Sequence, residues 1–245
     1  MSSTRTLRWS EEDRVGAGRL RWGAWVGLVA AALGLLLPSF SLFLAGQGSL
    51  RTLAFGTALL RATGLFVLIG AAFFVLSLFL YRRAFAHLRQ SSPEFALASA
   101  LCLLGSVGFL LILVAAAYLT GSASNLGSCL QGHPSNALSC METNQPLGAY
   151  TAIVGFVLGW LGGIGIVLGL WLASDHFEER TIALGSALYL LLLLLALAPF
   201  LELLFTVPGG GYLLLLLPLV GVGAPTMVLF GILPRTRPSR PAASA

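Results

Sequence analysis

Residues 95–119 read FALASALCLLGSVGFLLILVAAAYL, and no charged side chain interrupts them. An apolar run of about 20 residues is long enough to cross the hydrocarbon core of a bilayer as a helix. Lipid offers the backbone no hydrogen-bond partners, so such a run must be helical. Five further runs of this kind occur near 24–45, 53–81, 148–173, 182–206 and 211–233. The sequence therefore predicts an all-α polytopic membrane protein with a bundle of six transmembrane helices over 24–233. A segment 1–23 precedes it, a tail 234–245 follows, and one long polar loop at 120–147 lies outside.

Composition agrees. Of 245 residues, 57% are hydrophobic and only 9% are charged, with a mean hydropathy of +0.91. A soluble domain carries roughly 25% charged residues, so lipid must cover what polar groups cannot. The net charge of +5 is not a nucleic-acid signal, because the arginines sit at span ends and build no basic face. The expected partners are membrane lipids, with a homo-oligomer or a larger membrane complex left open.

Arginine sets the orientation. Arg5, Arg8, Arg14, Arg19 and Arg21 precede the first span, and Arg82, Arg83 and Arg89 follow the second. Arg180 follows the fourth, and Arg235, Arg237 and Arg240 follow the sixth. Six crossings put all of these on one face, which the positive-inside rule makes cytoplasmic, with both termini there and the protein in the cell membrane. Aromatic residues fit this frame, with Trp25, Tyr81 and Trp171 at inner ends and Tyr118, Tyr150 and Tyr212 at outer ends. The first span is too long for a cleaved signal and reads as a retained anchor. Ahead of it, Ser10 with Asp13 forms a capping-box pattern for a short interfacial helix, a solvated tail being the alternative.

Two charges fall inside spans. Arg61 lies in the second and Glu202 in the fifth, both in the outer half. A charge there faces a partner or water, so an Arg61–Glu202 pair, or a shared polar cavity, is one reading. Snorkelling of Arg61 with Glu202 in the headgroup zone is the other. Pro199, Pro218 and Pro225 interrupt the last two spans, and proline frees a carbonyl and kinks a helix.

Gly155, Gly159 and Gly163 recur every fourth residue and flatten one face of the fourth span. A flat face permits close backbone approach to another span, a dimer interface being the alternative. In the loop, Cys129 and Cys140 are expected to form a disulfide in an oxidising compartment. Cys102, inside the third span, reads as a small buried apolar residue.

The stretch RTLAFGTAL at 51–59 matches RTIALGSAL at 180–188, and GAWVGLVAAALGLL from Gly23 resembles GAYTAIVGFVLGWL from Gly148. Three spans duplicated would make a 3+3 inverted repeat, an architecture recurrent in secondary transporters.

Enzymatic chemistry is not expected. Asp175 with Glu178 reads as a capping box for the fifth span, and His176 with Glu179 is a weak metal pair. His87, His133 and His176 fall in predicted loops, no intramembrane protease motif is complete, and no phosphate loop is present. No metal or cofactor is anticipated.

The run Gly159-Trp160-Leu161-Gly162-Gly163, the stretch GLWLASDHFEERTIALGSALYLL at 169–191 and YRRAFAHL at 81–88 together resemble an archaeal membrane family, number 973 in the domain-of-unknown-function series. The resemblance implies a six-span helical protein in a prokaryotic cell membrane. It implies no activity and no functional residue. Two functions stay open: a small transporter or channel-like protein, and a non-catalytic accessory or scaffold subunit of a membrane complex.

Overall fold

The computed structural model describes the backbone of residues 10–36, 53–121, 146–205 and 210–233. Side chains at 36, 53–67, 116–121, 146, 149, 196–205 and 210–217 fall outside that description. The described chain is all-α. Its helices are α1 (Glu11–Ala31), α2 (Leu53–Ser91), α3 (Phe95–Gly121), α4 (Pro146–Phe177), α5 (Arg180–Phe205) and α6 (Gly210–Ile232). A π-helical turn, Ala32–Leu36, continues α1. Among the described residues, three stretches are long and apolar enough to cross a membrane: Leu68–Ser91, Phe95–Ala115 and Tyr150–Phe177. The protein is membrane-embedded, and large apolar side chains such as Val114, Leu219 and Phe230 cover its outside.

The helices close into a ring in chain order, α1 against α2 and so on round to α6 against α1. Neighbours run antiparallel. Gly16 meets Leu88 while Gly27 meets Ser77 across α1 and α2, and Gly105 meets Gly162 while Gly108 meets Gly155 across α3 and α4. The ring excludes the 3+3 inverted repeat. A two-fold axis lying in the membrane reverses the order of three helices seen from above, so it would seat α1 beside α4 and α3 beside α6. The contacts instead join α3 to α4 and α6 to α1. The likeness of 51–59 to 180–188 is not accompanied by a two-fold arrangement of the helices.

The helices overshoot the expected spans at the end that carries Arg82, Arg83, Arg89 and Arg180. Residues 82–91 continue α2, because Arg, Ala and Leu favour helix and no breaker occurs before Pro93. His87 and His176 thus lie in α2 and α4, not in loops. The Ser10 capping box is present: the Ser10 hydroxyl accepts from the Asp13 amide at 3.1 Å, and an Asp13 carboxylate oxygen accepts from the Ser10 amide at 3.1 Å. It opens α1 itself, which runs unbroken into the apolar stretch, so there is no separate interfacial helix.

Asp175 and Glu178 do not cap α5. Asp175 belongs to the last turn of α4, and two residues separate the helices. The Glu179 amide donates to the Ser174 carbonyl at 3.0 Å and the Glu178 amide to the Asp175 carbonyl at 3.3 Å. With Glu178 at φ 51, this is a Schellman-type C-cap whose left-handed position, usually glycine, is filled by glutamate.

Candidate functional site

The arginine-bearing end of the ring is solid. Leu20, Tyr81, Phe85, Leu88, Phe95 and Leu170 are fully enclosed there. Phe85 stacks with Tyr81 and with Phe95, each at 6.0 Å between ring centroids. Tyr81 was expected at the headgroup level, but its exposure is 0%, and Trp171 at 54% occupies the outside instead. Tyr81 lies on the inward face of α2, four residues before Phe85, and that face rather than its depth decides its surroundings.

Below this core, a polar cluster ties three helices. Asp13 Oδ1 accepts from the Ser91 hydroxyl at 2.7 Å, and the His176 Nε2 lies 3.0 Å from the same oxygen. Burial raises the Asp13 pKa, but bonds from Ser91, Ser10 and His176 outweigh it and hold the carboxyl below its ordinary 3.8. His176 also sits edge-on to Phe95 at 6.0 Å. The sequence reading offered His176 to a metal with Glu179; the fold gives it to Asp13. Among the described residues no group of three metal-ligating side chains comes together.

Beyond the core the ring is hollow. All six helices border a cavity of about 330 Å³. Its origin is legible in α1, where Gly27, Ala30, Ala31 and Gly34 fall at helical spacing on one face. Four small residues in a row project nothing into the centre. Gly70 and Ala71 on α2 and Gly221 on α6 extend the small-residue wall, while Phe74, Phe109, Trp160, Leu192 and Leu193 form the rest. The wall is almost wholly apolar. A wall so lined gives water few hydrogen-bond partners. The π-helical turn borders it through Gly34 and Leu35, and π turns inside helices are frequent at functional sites.

The glycines of α4 divide between structure and chamber. A Cβ on Gly155 would meet Gly108 and Ile112, and one on Gly159 would meet the Phe109 ring, both on α3. Gly163 faces Leu193 on α5. Gly159 and Gly163 also border the chamber. The closest backbone approach among the described glycines lies nearby, where Gly105 and Gly162 bring α3 and α4 together and a Cβ on either would run into the other's Cα. Cys102 is fully buried on the same seam.

Arg61 and Glu202 fall within α2 and α5, and their side chains lie outside the described residues. Cys129 and Cys140 lie outside them altogether. What sequence reasoning missed is the chamber and the Asp13–His176 contact. The α1 small-residue face was a signal for the first; Asp13 and His176 at a common end of the spans was a weak one for the second. The chain matches no protein-family model, no curated protein and no solved structure. Its own geometry carries the functional reading.

Proposed function

We propose that this chain crosses the cell membrane six times, with both termini cytoplasmic, and is a small transporter that takes an apolar molecule into its central chamber. One observation carries the reading: an apolar chamber bordered by all six described helices of a ring. A ligand there touches all six helices, so a shift of any one changes its binding. An ion-conducting reading has no polar wall to draw on. A scaffold has no use for a hollow at the centre, since packing is what holds membrane helices together. The inverted repeat no longer contributes to the transport argument.

The two intramembrane charges keep a place in this reading. Arg61 is nine residues from Gly70 along α2, and Glu202 is nine from Leu193 along α5. Each therefore lies on the order of 13 Å along its helix from that wall residue. We assign them to the chamber's outer mouth, where an ion pair would close the path to the outside.

Native mass spectrometry of protein gently extracted from its own membrane tests the reading. The wild-type chain should retain an apolar small molecule, and Ala71→Phe, which puts a ring into the chamber, should lose it. A ligand-free chain in stoichiometric complex with another protein would make it an accessory subunit instead.

A further inference from the structure

We propose that the chamber selects apolar molecules that carry a hydrogen-bond acceptor, a carbonyl or ether oxygen, and that the Tyr189 hydroxyl is the donor that reads it. This rests on the reading of the chamber as a ligand site. Tyr189 borders the chamber at the end nearest the solid core, beside Gly27. A Cβ on Gly27 would lie 3.2 Å from the Tyr189 oxygen, so the missing side chain lets the hydroxyl reach the chamber floor.

The hydrogen count at that floor does not close. The Tyr81 and Tyr189 oxygens are 3.4 Å apart, with the rings edge-on at 87°. Two phenols own two hydrogens, and only one can lie between their oxygens. Nothing else described takes the second. The neighbouring Ser77 hydroxyl donates to the Gly23 carbonyl at 2.8 Å and forms no hydrogen bond with either tyrosine. If Tyr189 donated to Tyr81, the leftover hydrogen would be Tyr81's, enclosed in the solid core at 0% exposure. An enclosed donor without an acceptor is costly. If Tyr81 donates to Tyr189, the leftover hydrogen is Tyr189's, on a residue that borders the chamber, where a ligand oxygen can take it. With an acceptor bound in the chamber the second arrangement is favoured, and the separation, long for a bond between hydroxyls, leaves the Tyr189 group able to serve that ligand.

The described wall thus offers the Tyr189 hydroxyl and the indole N–H of Trp160, buried without a described partner, as donors, and no matching acceptor. Its complement is an apolar body with an acceptor oxygen and no donor of its own. Size narrows the class further. The cavity, at about 330 Å³, is about twice the ~150 Å³ apolar pocket that holds benzene. A body of about two fused six-membered rings, or an equally bulky branched chain, fits it.

Tetralin and 1-tetralone share such a skeleton and differ by one carbonyl. Their binding to the full chain in lipid nanodiscs is measured by titration calorimetry against empty discs, for wild type, Tyr189→Phe and Tyr81→Phe. Comparing variants in the same lipid cancels partition into the bilayer. One hydrogen bond predicts that Tyr189→Phe binds 1-tetralone about three- to tenfold more weakly and tetralin unchanged. Tyr81→Phe keeps the Tyr189 donor and should bind 1-tetralone at least as well as wild type. Should Tyr189→Phe not fold, Tyr81→Phe decides, and a selective loss of 1-tetralone there overturns the proposal. Tetralin binding with no effect of Tyr189→Phe on 1-tetralone overturns the role of the hydroxyl and leaves the chamber reading intact. Failure of both probes to bind wild type overturns both.

Discussion

The two ends of α1 meet their surroundings in opposite ways. Near its start, Gly16 lies against Leu88 and Leu20 is fully enclosed, so small and large residues interlock. Two turns further on, Gly27 lies against Ser77 and Tyr189 and Gly34 against the Gly70 backbone, and together with Ala30 and Ala31 they border the chamber without projecting a large side chain into it. The same small-residue device produces a dense seam in one place and a chamber in the other. The difference lies in what stands opposite. Large side chains on α2 reach into the α1 groove at the arginine-bearing end, whereas at the chamber α2 presents Gly70 and Ala71. In lipid, where apolar burial does not drive helices together, close packing supplies the stability. The solid end therefore holds the ring, and the hollow part is free to bind.

That contrast is most exposed by substituting small residues with large ones in both regions. Gly162→Val puts a branched side chain into the Gly105 backbone, which cannot yield. It should cost about 2 kcal/mol or more, read as a lowered Tm in detergent. Ala71→Phe directs a larger ring into the chamber and should stay within about 1 kcal/mol of wild type. Equal losses would erase the distinction between the regions.

Next in size is the polar clamp at the solid end. Asp13→Ala removes the acceptor shared by Ser91 and His176 and one half of the capping box. A loss of about 1–2 kcal/mol is expected in thermal unfolding at neutral pH. The sign of the pH effect follows from the depressed carboxyl. Its contribution is complete above the ordinary value of 3.8 and is lost as pH falls through the lower folded value. Wild type should therefore lose Tm below about pH 4 more steeply than Asp13→Ala. Parallel acid profiles would show that the clamp contributes nothing.

The smallest expected effect has the opposite sign. Glu178 occupies a left-handed position that glycine fills without strain. Glu178→Gly should stabilise the chain by roughly 0.5–1 kcal/mol, since it relieves the C-cap of α4 without touching chamber or core. A loss instead would mean that the glutamate side chain holds the turn.

Much of this was legible in the sequence, and what was not has a physical reason. Apolar runs announced the helices, and the Ser10–Asp13 spacing announced the first cap, because both are local signals. Helix ends were misjudged where residues 82–91 continue α2, since polar residues mark the end of an apolar stretch and not the end of a helix. Tyr81 was assigned by depth, whereas helical facing governs burial. The likeness of 51–59 to 180–188 did not announce a two-fold packing, because sequence likeness does not fix which helices meet, and the order of packing does. The chamber depends on which small faces meet when the ring closes, and single-helix patterns do not encode that.

The claim on which the account stands is that the centre of the ring is dry and apolar. Trp160 borders the chamber, and its indole N–H is buried without a described partner. A protein in which Trp9, Trp22, Trp25 and Trp171 are replaced by phenylalanine leaves Trp160 as the sole reporter. In nanodiscs its fluorescence should be blue-shifted and resistant to quenching by acrylamide from water. Red-shifted emission that acrylamide quenches freely would mean that water fills the ring, and would replace the apolar carrier with an aqueous pathway.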